Sequence, residues 1–591
     1  MNQALSSLSP KKRAFLTGTL LLTGTGFLCR ILGFFYRIFL SRTIGAEGLG
    51  IYNMIHPVFG ICFAVCAGSI QTALSQHVAA QQKRGRSVFL TGLSISFTLS
   101  LGLAATIWKG AGFIATYLLL EPRCAPYLLI IALSVPFAAL HACINGYYYG
   151  MQRSSVPAFS QVAEQIVRMG AVFLIVQAMT LQGRPLTVAL AVYGHLIGEA
   201  ASAAFTLLCL LFWPPAETRR TARKAHSARG IGAAGTAQLT RASGAAGTAQ
   251  LTRASGAAGT AQLTKASGAA GRTQTDPGRT KKDGLAQKAA DLPHESPLTD
   301  ALPLLALALP LMGNRLVLNL LASAEAIWIP NRLIMYGLSD KDAFSVYGVL
   351  TGMAMPFILF PSAITNSIAV LLLPTVAQAQ AEKKMEQIAA SISMALRYSL
   401  YMGILCTGVF CLYGRELGTS VFHDPSSGAY IRVLGWLCPF MYLATTLGSI
   451  LNGLGKTSST FLQNVCALAL RLVFVLVGIP RLGMKAYLWG ILVSEIFLAA
   501  WHLLTLHGYV PFVWDVLEMI GKPVLLITFS GIVSQKLWQL LTPFLRPLSL
   551  EPGRPLSFIG IALQICGLCG IYGICLLVWH LLSRNKSGAG A

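Results

Sequence analysis

AFLTGTLLLTGTGFLCRILGFFYRIFL, residues 14–40, reads as a membrane-spanning helix with a polar stripe inside it. Thr19, Thr23, Gly26, Arg30, Gly33 and Arg37 are spaced by four, three, four, three and four residues. At about 100° per residue they share one narrow face. The rest of the helix, including Leu20, Leu21, Leu22, Phe27, Leu28, Ile31, Phe34, Phe35 and Ile38, suits lipid or other helices. One arginine at the centre of a bilayer costs about 2.5–3.5 kcal/mol even on the lenient insertion scale. Two on one face, flanked by glycines that leave room, predict a water-filled cavity that receives an anion.

The whole chain extends this reading. Of its 591 residues 54% are hydrophobic and only 11% charged, against about 25% charged in a soluble domain. Fourteen apolar stretches reach the length of about 20 residues that a bilayer demands. They are 14–40, 48–75, 87–108, 113–149, 157–180, 186–213, 299–321, 343–375, 390–414, 429–452, 458–479, 484–506, 519–541 and 556–582. The expected fold is an all-α polytopic membrane protein. The first stretch exceeds a signal-peptide core of roughly 7–15 residues and lacks a small-residue cleavage site, so it reads as an uncleaved anchor.

The formal charge of +24 is explained by its placement rather than by a nucleic-acid partner. Lys11-Lys12-Arg13, Lys83, Arg84, Arg86, Arg153, Lys383, Lys384, Lys456 and Arg584 fall in alternate loops. The positive-inside rule puts those loops, and both termini, in the cytoplasm of a bacterial plasma membrane. Only the loop before the thirteenth span, with Asp515, Glu518 and Lys522, departs from the alternation. Thirteen cysteines are scattered mostly within spans and read as small apolar packers.

Residues 214–297 interrupt the pattern. The unit G-A-A-G-T-A-Q-L-T-[RK]-A-S repeats every twelve residues from Gly232, Gly244 and Gly256, with a further start at Gly268. From Pro214 to Asp300 there are 13 Lys/Arg and 6 Asp/Glu, net +7, and few large apolar residues. Such a segment cannot bury enough surface to offset chain entropy, and it reads as a disordered cytoplasmic linker. It divides a lobe of six spans (1–213) from a second (298–507), followed by two further spans (508–591).

The two sides read as a duplication. Gly150, Arg153, Gln161 and Arg168 correspond to Gly453, Lys456, Asn464 and Arg471, each pair 303 residues apart. Six spans per copy preserve orientation, so the expected lobes are related by an axis along the membrane normal.

Other intramembrane polar groups also group by helical face: Gln161, Gln165 and Arg168 beside Glu164 on the fifth span, and His195, Glu199 and Ser202 on the sixth. The seventh carries Asn314, Arg315 and Glu325, with Asn314 and Glu325 about 20° apart around the helix, the eleventh Asn464 and Arg471, and the twelfth Glu495. Ionisable groups at this depth normally face a bundle interior and pair. Arg168, Glu164 and Arg471 therefore read either as substrate contacts or as an ion-pair network near the cytoplasmic rim. His195 and Glu199 read as structural. Glu325 either pairs with Arg315 or serves a gate together with Pro330-Asn331-Arg332. Arg30 and Arg37 are the foremost substrate candidates, because no residue of their span neutralises them and a guanidinium matches phosphate oxygens in pairs. Arg168, Glu325, Arg332 and Arg471 are the further candidates. Pro57, Pro136, Pro310, Pro356, Pro361 and Pro374 supply possible kinks. No phosphate-binding loop, metal-ligand cluster or nucleophile–base pair is legible, so neither an enzyme nor a cofactor is expected.

RILGFFYRIFLSRTIGAEGLGIY (30–52), EAIWIPNRL (325–333), and FPSAIT (360–365) with Leu373-Pro374 resemble signatures of the stage V sporulation protein B-like polysaccharide transporters. These belong to the multidrug/oligosaccharidyl-lipid/polysaccharide flippase superfamily. The resemblance covers nearly the whole chain outside 214–297. It implies two six-helix lobes with two extra helices, alternating access, and a lipid-linked saccharide pyrophosphate as cargo, lipid II in related members. Membrane lipids and cell-wall synthesis proteins are the implied partners, with an ion gradient or the membrane potential as energy source. Arg30 matches the first arginine of the cavity helix in the lipid II branch, and Arg37 the second with a one-residue shift. Pro356 stands where that branch carries an arginine, and the second span lacks its arginine pair, which favours the sporulation-type subfamily. The alternatives are a cation-coupled drug exporter, whose cavity would favour glutamates and aromatics, and a non-transporting scaffold for cell-wall or spore-coat synthesis.

Overall fold

The computed structural model describes residues 10–81, 84–215, 298–512, 515–541 and 555–588. The repeat segment 216–297, expected as a linker, lies outside them, as do the side chains of Lys11, Lys12, Arg13 and Thr19. The described residues form helices and no strands. Fourteen helices span: α1 (10–44), α2 (46–80), α3 (Gly85–Leu118), α4 (Pro122–Gly150), α5 (Ser155–Leu181), α6 (Ala189–Phe212) and α7 (Leu298–Met335). They continue as α8 (340–381), α9 (Met385–Phe422), α10 (Pro425–Gly453), α11 (Thr457–Leu482), α12 (Met484–Tyr509), α13 (Leu517–Leu541) and α14 (Pro555–Gly588).

Two boundaries follow from backbone chemistry. Gly45 adopts φ +72° and ψ −177°, a conformation that strains any residue with a Cβ, and there α1 turns back into α2. The reversal is visible at Thr351. Its carbonyl accepts from Arg37 Nη1 at 3.3 Å and its Oγ1 from Asn53 Nδ2 at 2.8 Å. In one straight helix those two residues would stand about 24 Å apart. The opposite holds at Phe360-Pro361, where helical dihedrals persist. The Ile358 carbonyl accepts from Tyr442, and the Ala369 carbonyl from Ser449. Both chains therefore advance in the same direction along α10, and α8 is one proline-bent span.

Packing repeats from one lobe to the other. α3 packs on α4 as α9 does on α10, and α4 on α6 as α10 on α12. The pairs α5·α6, α2·α4 and α1·α5 have counterparts in α11·α12, α8·α10 and α7·α11. A π-helical turn closes α3 at Ile114–Leu118 and α9 at Gly418–Phe422, 304 residues apart. The chain is thus a multi-pass membrane protein of two pseudo-symmetric six-helix lobes. α13 and α14 pack on each other and on α9. Large exposed apolar side chains, such as Phe173 and Leu174 on α5 or Leu577 and Leu581 on α14, suit contact with acyl chains.

The lobes meet differently at the two ends. At the end away from Arg84, Arg153, Lys384 and Lys456, α2 crosses α8 on glycines. A Cβ on Gly50 would strike the Phe344 carbonyl, one on Gly348 the Ala46 carbonyl, and one on Gly352 would come within 2.9 Å of Leu49. Arg42 bonds the Val421 carbonyl through Nε at 2.9 Å and Nη2 at 2.6 Å. Arg123 reaches Glu47 at 2.7 Å and lies over the Phe344 ring. This end is closed. Towards the basic end α7 leans on the first lobe, where Leu304, Ala308 and Leu311 share a buried cluster with Ile70, Leu74, Val88 and Phe89. Gly348→Leu is expected to prise the closed end apart. Overpacking of about 1–3 kcal/mol should raise thiol labelling of a Ser420→Cys reporter about 5- to 150-fold; unchanged labelling would mean that the crossing is not the seal.

Candidate functional site

α1 lies between the lobes. Gly33 faces Gln165 of α5, 3.5 Å from where its Cβ would be. One residue on, the Phe34 ring meets Phe357 and Phe360 of α8 at 4.8 and 5.1 Å. The stripe thus runs along the seam, with glycine where the neighbouring helix comes near. The serines and threonines beside it satisfy themselves within the helix, Thr25 on the Leu21 carbonyl at 2.9 Å and Ser41 on that of Ile38 at 2.7 Å, as hydroxyls in lipid must.

The two arginines of the stripe differ from those deeper in each lobe. No described carboxylate lies within ion-pair distance of Arg30 or Arg37. Arg30 is half-buried and its Nη1 has no hydrogen-bond partner. Arg37 remains exposed between Tyr36, Tyr52 and the Thr351 carbonyl, so it faces an open space rather than a packed interior. Two guanidiniums about 10 Å apart along one helix, uncompensated and backed by apolar walls, form a site for an extended anion.

Arg168 and Arg471 are already engaged. On α5, Arg168 is bonded to Glu164 and stands 3.9 Å from Glu199 of α6; Glu199 also bonds His141 Nε2 of α4 at 2.8 Å. On α11, Arg471 meets Glu325 of α7 at 2.9 Å and Glu495 of α12 at 3.8 Å. The Tyr487 hydroxyl donates to Glu325 at 2.6 Å. These are two separate ion-pair sites, one inside each lobe and near mid-span, and not one network at the rim. Glu325 does not pair with Arg315. Ten residues separate them, about 15 Å along α7 and 80° around it. Arg315 is buried instead against the first lobe, with Nη2 3.0 Å from Thr72 Oγ1 and Nη1 against Gly68. Arg332 sits at the closed end, over the Trp328 ring and 2.9 Å from Met335 Sδ. Of the six candidates, then, Arg30 and Arg37 share the seam, Glu325 and Arg471 pair with each other inside the second lobe, Arg168 belongs to the first lobe's ion-pair site and Arg332 sits at the closed end.

Several residues at these sites are not legible from spacing. Tyr36, Tyr52 and His56 join α1 and α2 around Arg37, and Thr351 receives it from the other lobe. His141 is a lone histidine in an apolar span, and Arg42 follows the stripe just beyond its polar face. Each becomes visible only through a partner on another helix.

Known proteins resemble this chain along most of its length. The family described as "Polysaccharide biosynthesis protein" matches residues 15–227. The chain is similar to stage V sporulation protein B of Bacillus subtilis (strain 168), 24% identical over 582 residues, covering 97% of each chain. It is 25% identical over 200 residues to the lipid II flippase MurJ of the same organism, covering 31% of this chain and 37% of that one. Among solved structures it resembles the lipid II flippase MurJ in an inward closed conformation, with TM-score 0.60, 12% identity, and coverage of 95% of this chain and 99% of that one.

Proposed function

We propose that this chain, similar along 97% of its length to stage V sporulation protein B, is a polysaccharide transporter of the multidrug/oligosaccharidyl-lipid/polysaccharide flippase superfamily, and that its cargo is a polyprenyl-pyrophosphate saccharide, a peptidoglycan or other cell-envelope precursor. The observation that carries this reading is the pair of uncompensated guanidiniums on the seam. A pyrophosphate offers several oxygens to two forks about 10 Å apart, and its charge repays the desolvation that Arg30 and Arg37 bear when empty. The basic loops belong to the cytoplasm on this reading, with both termini there. Cargo would enter from the basic end and leave through the glycine crossing when α2 and α8 part. The polyprenyl tail stays in lipid.

The glutamates argue against a cationic drug as cargo. Glu164, Glu199, Glu325 and Glu495 all lie within 4 Å of Arg168 or Arg471, so none is free to receive an organic cation. The energy source on this reading is the proton gradient, another ion gradient or the membrane potential; one elementary charge moved across 100 mV is worth about 2.3 kcal/mol. The test is depletion of the protein in its host followed by mass identification of the accumulating lipid-linked intermediates. Accumulation of a polyprenyl-pyrophosphate saccharide on the cytoplasmic leaflet is the expected result. Unchanged lipid intermediates, with the protein demonstrably absent, would leave the scaffold reading in its place.

A further inference from the structure

The two ion-pair sites are copies of one another with different third members. Arg168 and Arg471 lie 303 residues apart on the fifth helix of each lobe. Each faces a glutamate on the sixth, Glu199 at 3.9 Å and Glu495 at 3.8 Å. In the second lobe the remaining partners of the site are Glu325 and Tyr487. Arginine and tyrosine keep one protonation state across neutral pH. In the first lobe the site holds His141 against Glu199 at 2.8 Å, and an imidazole changes charge between about pH 5 and 8.

Charge balance gives this difference a consequence. With neutral imidazoles, Glu164 and Glu199 outnumber Arg168 between α4, α5 and α6, just as Glu325 and Glu495 outnumber Arg471 in the second lobe. Each site therefore carries one net negative charge, and only the first has an imidazole bonded to a glutamate that can take up a proton against it. A charge there is expensive unless compensated. A proton on His141 removes the imbalance. A second imidazole waits beside it: His195 is buried, with both ring nitrogens without a hydrogen-bond partner, and its Nε2 stands 3.9 Å from Glu199. His56 of α2 lies edge-on to His195 with ring centroids 5.8 Å apart, and is within Coulomb range of Arg37 and Arg168. The groups facing the cluster are Cys29, Tyr36 and Arg37 from α1, Tyr52 and His56 from α2, His141 from α4, Glu164 and Arg168 from α5, and His195 beside Glu199 on α6. They connect the cluster to the seam.

A metal ion is the competing occupant, because His141, Glu164 and Glu199 place ligand atoms within 4.8 Å of one another. Arg168 already fills the cation position. Its guanidinium bonds Glu164 and borders Glu199, so a metal would have to displace a fixed positive charge. A proton needs no such room.

We propose that His141, Glu199 and Glu164 form a proton-binding site that couples the first lobe to a proton gradient, an inference that rests on the transporter reading. When His141 gives up its proton, Glu199 loses its ion-pair partner and attracts Arg168. Arg168 shares α5 with Gln165, which touches α1 at Gly33, so the shift reaches the arginine stripe. The second lobe has no such response.

The test uses full-length protein in lipid nanodiscs, followed by infrared difference spectroscopy through the range from about pH 5 to 8, with no cargo present. The wild type is expected to show a histidine–carboxylate change that disappears in His141→Gln and in Glu199→Gln and survives in Glu325→Gln. Exchanging Na+ for choline should leave it unaltered. Should Glu199→Gln fail to give monodisperse protein, Glu164→Gln serves, since it removes the excess negative charge while keeping the shape and should abolish proton uptake. Persistence of the change in His141→Gln, or its appearance only with Na+, overturns the proposal. Because no substrate takes part, that failure is distinct from a failure to accumulate lipid intermediates on depletion.

Discussion

Replacing Arg30 and Arg37 together by alanine is expected to abolish translocation of the lipid-linked precursor while leaving the protein in the membrane at wild-type amount. Each guanidinium offers charge-assisted hydrogen bonds worth about 1.5–3 kcal/mol. Loss of both therefore corresponds to about a 10²- to 10⁴-fold fall in flux at limiting substrate. Folding should suffer little, since neither side chain holds a carboxylate and Arg37 has one long hydrogen bond, 3.3 Å, to Thr351. Arg30→Lys and Arg37→Lys should recover part of the flux, because lysine keeps the charge and loses the paired fork. The measurement is protease- or enzyme-accessible precursor on the outer leaflet of whole cells, with protein level checked by immunoblot. Normal flux in the doubly substituted protein would mean that the anion is bound elsewhere, and the buried but carboxylate-free Arg315 would be the next place to look.

The helices were legible because hydrophobicity over about 20 residues is a local property. The duplication was legible from Arg168 and Arg471 because insertions had not disturbed their spacing within each half. Even the reversal between the first two spans follows from a short polar interval that includes Gly45. Pairing was another matter. Glu325 and Arg315 share a helix and invite pairing by proximity in sequence, yet rise and rotation separate them, and Glu325 finds Arg471 from another helix. The same limit hid His141, whose meaning depends on Glu199, 58 residues away. Faces are encoded within a helix; partners are decided by which helices touch. The arginines that lack partners stood out in the sequence for the complementary reason, because nothing nearby on their own span could neutralise them.

The ion pair between α7 and α11 leads to the second large effect. Glu325→Ala is expected to destabilise the second lobe by about 3 kcal/mol, the lower part of the 3–5 kcal/mol typical when one partner of a buried pair is removed. The lower part applies because Glu495, 3.8 Å from Arg471, can take over some of the compensation. Tyr487→Phe should cost less, near the 0.6 kcal/mol average for hydrogen bonds between membrane helices, since Glu325 keeps Arg471 after the hydroxyl is gone. The informative variant is the double substitution Glu325→Leu with Arg471→Met. If the pair chiefly repays its own burial, replacing both charges by apolar groups of similar volume restores most of the lost stability, and thermal unfolding in detergent will rank the double variant well above Glu325→Ala. α7 carries the second lobe's end of the seam and leans on the first lobe through Leu304, Ala308 and Leu311. A double variant that is stable but no longer transports would therefore show that the ion pair positions α7 for the cycle. A double variant as unstable as Glu325→Ala would show instead that the charges hold the lobe together through contacts beyond their own pairing.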